Sequence, residues 1–334
     1  MVYSYRSPSR AEILCGIAAG MQVTPRQDRR CFYPAPSICP VPPGCRESSR
    51  YTGYCTIHTF YESDDNPLRQ LYTARLANKL LLSDVAQCFH LEFAVDELPS
   101  FAFNSGQFVS CVADDPKTGK PQTRAYSIAS AARENMFDIC VNRVEGGFFS
   151  NLLCDLNEGD TVKFHGAHGL FTLRQPLVDS VFIATGTGIA PMRGFAQWLF
   201  PEDGPNRSEG KDISLVYGTR YESDIYYQDY FEQLAAKYPN FHYVATLSRG
   251  QENWGGERGY VQEHVARLVA ARAEQKVLVG AGGVPPESSP GSSPNGPFEI
   301  YAYICGLNDM VTASRDRLVG MGWEKKQVVF ERYD

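Results

Sequence analysis

The chain has 334 residues, 43% of them hydrophobic and 21% charged, and its 32 Lys+Arg against 38 Asp+Glu leave a formal charge of −6. This length suits two ordinary domains with a core each, and the composition excludes wholesale disorder and collagen-like repeats. No apolar run approaches the roughly 18–20 residues of a membrane span, and an acidic chain lacks the basic surplus of a nucleic-acid binder.

Residues 1–65 stand apart from the rest. They hold seven Arg, no Lys and six acids, a net +1, so the remainder carries −7. Half of the ten cysteines lie here, at Cys15, Cys31, Cys39, Cys45 and Cys55, among many Pro and Ser and without sustained periodicity. Three readings fit this leader. It is a poorly ordered extension or a mis-assigned start, with Met21 or a later codon as the true beginning. It is a targeting peptide, rich in Arg and Ser and poor in acids over residues 1–50. Or its cysteines hold a metal, although their spacing matches neither a paired C-x-x-C pattern nor ferredoxin ligation. The scattered cysteines of the body form no disulfide framework and fit a reducing, cytoplasmic setting.

From Leu71 the texture becomes short apolar or alternating runs between turn residues. Leu71–Leu76, Ala86–Phe93, Gln107–Ala113, Phe137–Arg143 and Thr161–Phe164 predict antiparallel strands and a small β-barrel over residues 66–175. After residue 176 apolar strands alternate with helices. Val181–Thr185, Ile213–Tyr217, Phe241–Thr246, Ile300–Ile304 and Val328–Phe330 predict strands. A helix running to Phe200 and others near 226–237, 261–275 and 308–321 predict a parallel sheet covered on both faces over 176–334. Residues 282–297 are almost entirely Gly, Pro and Ser and predict a flexible surface insertion.

Three motifs carry chemistry. Gly186-Thr187-Gly188-Ile-Ala-Pro191 follows an apolar strand and opens a helix. Glycines let the backbone approach a pyrophosphate, the helix start offers free N–H donors, and Pro191 suits a first turn. A tight strand–helix turn without a ligand is the alternative. Arg124-Ala-Tyr126-Ser127 places a cation, an aromatic ring and a hydroxyl on neighbouring strand residues. These could serve a phosphate, a flat ring and a ring nitrogen; taken alone, an ordinary half-buried strand with an exposed Arg is the better reading. Gly147-Phe-Phe-Ser150 begins a short helix, either a second phosphate site or a plain cap. His165 and His168 flank Gly166-Ala167 without a carboxylate or Cys partner in sequence, so they read as turn residues and no metal site is assigned.

The order of these motifs, with Tyr303-Ile-Cys305-Gly306 at a strand end and the terminal Phe-Glu331-Arg-Tyr333-Asp334, resembles the ferredoxin–NADP reductase family over residues 71–334. The resemblance implies an antiparallel FAD-binding barrel followed by a Rossmann-like NADP(H)-binding domain. It implies that Arg124 pairs the FAD pyrophosphate, Tyr126 packs on the flavin and Ser127 bonds near flavin N5. Cys140, Val141 and Arg143 match the strand that lines the flavin and its phosphates, and Gly147 and Ser150 the pyrophosphate helix start. Gly186, Thr187 and Gly188 would cradle the nicotinamide dinucleotide. Cys305 would lie beside nicotinamide C4, Glu331 near Ser127, and Tyr333 over the isoalloxazine ring. Arg220, Ser248, Arg249 and Arg258 match readers of the adenosine 2′-phosphate, with Tyr260 stacking on adenine. The implied activity is hydride transfer between NADPH and FAD and one-electron exchange with a separate carrier, ferredoxin or flavodoxin. No C-x4-C-x2-C spacing provides an attached iron–sulfur domain. Lys79, Lys117, Lys120, Lys325 and Lys326 are candidate docking cations on an acidic body. Two other activities fit the same motifs: an NADH-dependent reductase component of an oxygenase or cytochrome system, and a flavin-binding electron-transfer or sensor subunit active only in a complex. The sequence departs from the family at Ala167, where proline is common, and by the one residue beyond Tyr333.

Overall fold

Short runs between turn formers, most of six to eight residues, become two six-stranded sheets in the computed structural model, which describes residues 70–280 and 298–333. The leader and the Gly/Pro/Ser insertion lie outside the described residues. The first sheet is antiparallel and comprises β1 (Tyr72–Ser83), β2 (Cys88–Ala94), β3 (Phe108–Asp114), β4 (Pro121–Ser127), β5 (Met136–Asn142) and β6 (Thr161–His168), in the order β4-β3-β6-β1-β2-β5. An Ile128–Ile139 bridge and the Ala129 N–H donating to the Asp138 carbonyl at 2.7 Å join its outer strands and close the barrel. Phe93, Phe101, Phe137 and Phe164 pack ring on ring inside, with centroids 5.0–5.5 Å apart. Each such ring contributes about 1.5–3 kcal/mol by burial. A short helix, α1 (Phe148–Asp155), covers one end.

The second sheet is parallel. Its strands are β7 (Asp179–Thr185), β8 (Ile213–Thr219), β9 (Phe241–Leu247), the two-residue β10 (Glu257–Arg258), β11 (Ile300–Leu307) and β12 (Val328–Tyr333), ordered β10-β9-β8-β7-β11-β12. The helices are α2 (Ile189–Leu199), α3 (Gln228–Lys237), α4 (Val261–Gly280) and α5 (Asn308–Gly320). Side chains alternate along β7: Phe182 and Ala184 enter the core beneath α2 and α3, whereas Val181 and Ile183 enter the core beneath α4 and α5. Burial on both faces is why the strand reads as an unbroken apolar run.

From β7 the chain adds β8 and β9 on one side and later β11 and β12 on the other. The order therefore reverses between β7 and β11. In open α/β sheets, ligands bind beyond the carboxyl ends of the strands at such a reversal.

Candidate active site

β7 ends in the Gly186–Gly188 turn, and β11 carries Gly306 one residue before its end. Gly186–Gly188 form one 3-10 turn and α2 begins directly after it at Ile189, with Pro191 in its first turn. Gly186 has φ +54° and open space where a Cβ would stand, whereas a Cβ on Gly188 would lie 2.6 Å from the Cys305 carbonyl carbon and 2.9 Å from the Gly306 nitrogen. Gly188 therefore lets the β7 turn approach the end of β11, a packing role added to the phosphate role that the family resemblance implies. Gly306 has φ +152° and makes room for the Thr185 hydroxyl, which is buried without a hydrogen-bond partner among the described residues.

The β11–β12 register pairs Cys305 with Glu331 and Leu307 with Tyr333. Across from them comes the end of β4. Ser127, 5% exposed, donates its hydroxyl to Glu331 Oε2 at 2.7 Å, joining residues 204 apart in sequence. Burial raises the Glu331 carboxyl above its usual range, opposed only in part by the Ser127 hydrogen bond. Burial likewise pushes the Cys305 thiol well up, with the Glu331 charge adding to it. The Tyr333 hydroxyl, interacting with Ser127 and Cys305, is also pushed well up by burial. Ser127, Cys305, Glu331 and Tyr333 thus form one buried cluster in which burial disfavours the charged forms of Cys305, Glu331 and Tyr333. A buried thiol that holds its proton is a poor nucleophile, and the cluster suits orientation and proton retention.

On the barrel, Arg124 is exposed and makes no hydrogen bond or ion pair among the described residues, and Tyr126 beside it is half-buried against the barrel core. Gly147 caps α1 with extended backbone, and Ser150 Oγ accepts the Val144 N–H at 3.0 Å. A free cation, a half-covered ring and a helix start on one side of the barrel fit a flat cofactor with a pyrophosphate. Cys140 and Val141 are 6% and 2% exposed, so their side chains belong to the two cores and only their backbone is left to line a ligand. Arg143 is already engaged by Asn151 Oδ1 at 2.8 Å and Asp155 Oδ1 at 2.7 Å.

The ends of β8 and β9 bring Arg220, Ser248 and Arg249 together, with the Arg249 N–H donating to the Arg220 carbonyl at 3.0 Å. Tyr260 is 61% exposed just beyond β10. Arg258 departs from the reader role. Its guanidinium donates to the carbonyls of Gly250, Gln251, Glu252 and Trp254, so it braces the loop after β9. His165 Nδ1 and His168 Nε2 face each other at 3.0 Å and satisfy one another. Sequence reasoning gave Thr185 no role and named Gly306 only within its motif, although a Thr directly before Gly-Thr-Gly was a visible signal.

Residues 73–173 match the Oxidoreductase FAD-binding domain family and residues 182–288 the Oxidoreductase NAD-binding domain family, which defines the class: an oxidoreductase that binds FAD and a nicotinamide dinucleotide. Ferredoxin–NADP reductase B of Sorangium cellulosum is 38% identical over 248 residues, spanning 73% of this chain and 91% of that protein. The chain belongs to the ferredoxin–NADP reductase family. It is also 26% identical over 281 residues to the toluate 1,2-dioxygenase electron transfer component of Pseudomonas putida, spanning 84% of this chain and 73% of that protein. The crystal structure of a ferredoxin NADP+ reductase from Neisseria gonorrhoeae with bound FAD and NADP shares the fold, with a TM-score of 0.59 and 21% identity over 78% of this chain and 98% of that one. Among the described residues no helix is long and apolar enough to cross a membrane.

Proposed function

We propose that the protein is an FAD-dependent ferredoxin– or flavodoxin–NADP(+) reductase, with residues 66–175 binding FAD and 176–334 binding NADP(H). The observation that carries this reading is the 2.7 Å hydrogen bond from Ser127 to Glu331, which joins the barrel strand of Arg124 and Tyr126 to the strand ends beside the Gly186–Gly188 turn. When bound, the two cofactors supply the redox chemistry, a hydride exchanged between them and single electrons exchanged with a carrier protein.

The chain's own residues hold, orient and exclude water. Arg124 and the start of α1 fit the FAD pyrophosphate, and Tyr126 the flavin. The open face of Gly186 and the orphaned Thr185 hydroxyl fit the dinucleotide backbone. Ser127 orients Glu331 through its hydrogen bond, and burial raises the affinity of Glu331 for a proton. Cys305 presents a compact, uncharged thiol at the strand reversal. Tyr333 closes the cluster from the end of β12, and its aromatic face suits stacking on a flavin.

A second reading, an NADH-dependent reductase component of an oxygenase, is favoured by the toluate dioxygenase relative and by the loss of Arg258 as a phosphate reader. The experiment is NADPH- and NADH-driven reduction of ferricyanide by the flavin-loaded chain, followed by stopped-flow reduction of ferredoxin, flavodoxin and cytochrome carriers. Fast NADPH-dependent turnover with reduction of ferredoxin or flavodoxin is expected. Turnover with NADH alone supports the oxygenase reading. Failure to reduce ferricyanide with either nucleotide overturns both in favour of a subunit active only in a complex.

A further inference from the structure

The helix that leaves the Gly186–Gly188 turn also grips the barrel. Arg193 on α2, 15% exposed at its side chain, donates from one guanidinium nitrogen to the Ala129 carbonyl at 2.8 Å and to Asp138 Oδ2 at 3.1 Å. Asp138, fully buried on β5, also receives Arg133 at 2.8 Å. The Arg193 guanidinium lies over the rings of Tyr227 and Tyr230, 5.1 and 5.5 Å from their centroids. One residue on, Gly194 admits the barrel chain, because a Cβ there would stand 2.9 Å from the Ser130 carbonyl oxygen. A turn later, Gln197 Oε1 accepts the Ala131 N–H at 3.0 Å. The helix thus holds Ile128–Ala131, the segment that leaves Ser127, at three points. Its own start is fixed by Gly188 against Cys305 and Gly306.

We propose that Arg193 is a positioning residue for the redox reaction, fixing the Ser127 end of β4 relative to the strand ends that carry Cys305 and Glu331. This rests on the reading that those groups surround the reacting rings. Stability alone does not call for an arginine here: its buried Nε has no partner among the described residues, and Arg133 already pairs with Asp138. A guanidinium nitrogen bound to both a carbonyl and a carboxylate, with the guanidinium over two rings, defines distance and orientation, which apolar packing leaves freer. A displacement on the order of 1 Å at a reacting centre costs up to about 10²-fold in rate.

The test compares flavin-loaded wild type, Arg193→Met and Arg193→Lys. Flavin content and thermal midpoint are measured first. NADP+ is then titrated by flavin difference absorbance, where the midpoint reports binding and the amplitude reports contact between the rings. Finally kcat and KM for NADPH are measured. We expect Arg193→Met to keep its flavin and its binding midpoint, to lose amplitude, and to lose at least about tenfold in kcat with little change in KM. Arg193→Lys should fall between Met and wild type. An unchanged amplitude and kcat in Arg193→Met, or a rise in KM at constant kcat, overturns the proposal. Should Arg193→Met fail to fold, a wild-type amplitude and kcat in Arg193→Lys overturns it instead. Absence of NADPH turnover in wild type refutes the reductase reading, and the amplitude comparison then still decides the role of Arg193.

Discussion

Nucleotide preference should be governed by two side chains, Arg220 and Arg249. They project from hydrogen-bonded positions at the ends of β8 and β9, both are exposed, and neither guanidinium has a partner among the described residues. Ser248 lies beside Arg249, its N–H donating to the Thr219 carbonyl at 3.0 Å. A phosphate monoester placed there meets two uncommitted cations. A well-shielded charge-assisted bond contributes about 1.5–3 kcal/mol, and solvent exposure reduces this to about 1 kcal/mol for each arginine. Together they amount to about 2 kcal/mol, or roughly 30-fold in favour of the 2′-phosphorylated nucleotide. Arg258 adds nothing to this sum, because four backbone carbonyls already occupy its guanidinium. The assay is kcat/KM for NADPH and NADH in Arg220→Ala, Arg249→Ala, the double variant and Arg258→Ala. Each single replacement should lower the ratio about fivefold and the double should bring it near unity, with nearly all the change in NADPH. Arg258→Ala should weaken both nucleotides alike by loosening the loop after β9. A double variant that retains its preference, or an Arg258→Ala variant that alone abolishes it, refutes the reasoning.

Other substitutions probe the remaining parts of the site. Gly188→Ala must displace the end of β11 and should destabilise by about 1–3 kcal/mol with a fall in kcat, whereas Gly186→Ala has open space and only its positive φ to oppose it. It should cost about 1–2 kcal/mol and mainly raise KM; urea unfolding and steady-state kinetics check both. Glu331 binds its proton more tightly folded than unfolded, so stability relative to Glu331→Gln is fullest below the ordinary carboxylate range and falls as pH rises through the raised value. Urea midpoints of the two proteins across that window should diverge, and parallel curves would show that Glu331 titrates normally. Tyr333→Ser removes the ring that competes for the flavin face and should raise relative NADH activity while lowering kcat with NADPH; an unchanged flavin spectrum and nucleotide ratio would show that Tyr333 does not cover that face.

Much of the fold was legible because its signals are local. Val181–Thr185 reads as a buried parallel strand from composition alone, and the observed β7 extends it by only two residues at its start. β4 is harder to see: Pro-Gln-Thr-Arg is a polar edge with no apolar alternation, and its strand character comes from pairing with β3. β1 runs on to Ser83 although Leu80 and Leu81 are half-exposed, since a long ladder with β2 sustains it. The position of Ser127 against Glu331 was reachable only through the ordered set of motifs and the family they resemble, because nothing local links residues 204 apart. Arg258 shows the reverse failure. Its place after β9 marks a phosphate reader, and only the folded loop reveals the four carbonyls that claim it. The Arg193 clasp is invisible in sequence for the same reason, since Asp138, Ala129 and Tyr227 come from three separate segments.

The protonation of the cluster also bears on what kind of chemistry the fold is built for. An acyl- or group-transfer enzyme needs a thiolate or an activated base, which requires a nearby cation or helix start to draw pKa values down. Here burial drives Cys305, Glu331 and Tyr333 upward together, and the Glu331 charge drives Cys305 further. An ionised neighbour therefore makes each remaining group hold its proton more firmly, so the cluster resists carrying more than one negative charge. Hydride transfer between two bound rings leaves to the protein the work of alignment and the exclusion of water. The three groups sit on adjacent parallel strands whose register is fixed by backbone hydrogen bonds, and Ser127 reaches them from a second sheet. Alignment here is accordingly a property of how the two sheets are held together, more than of any one side chain in the cluster.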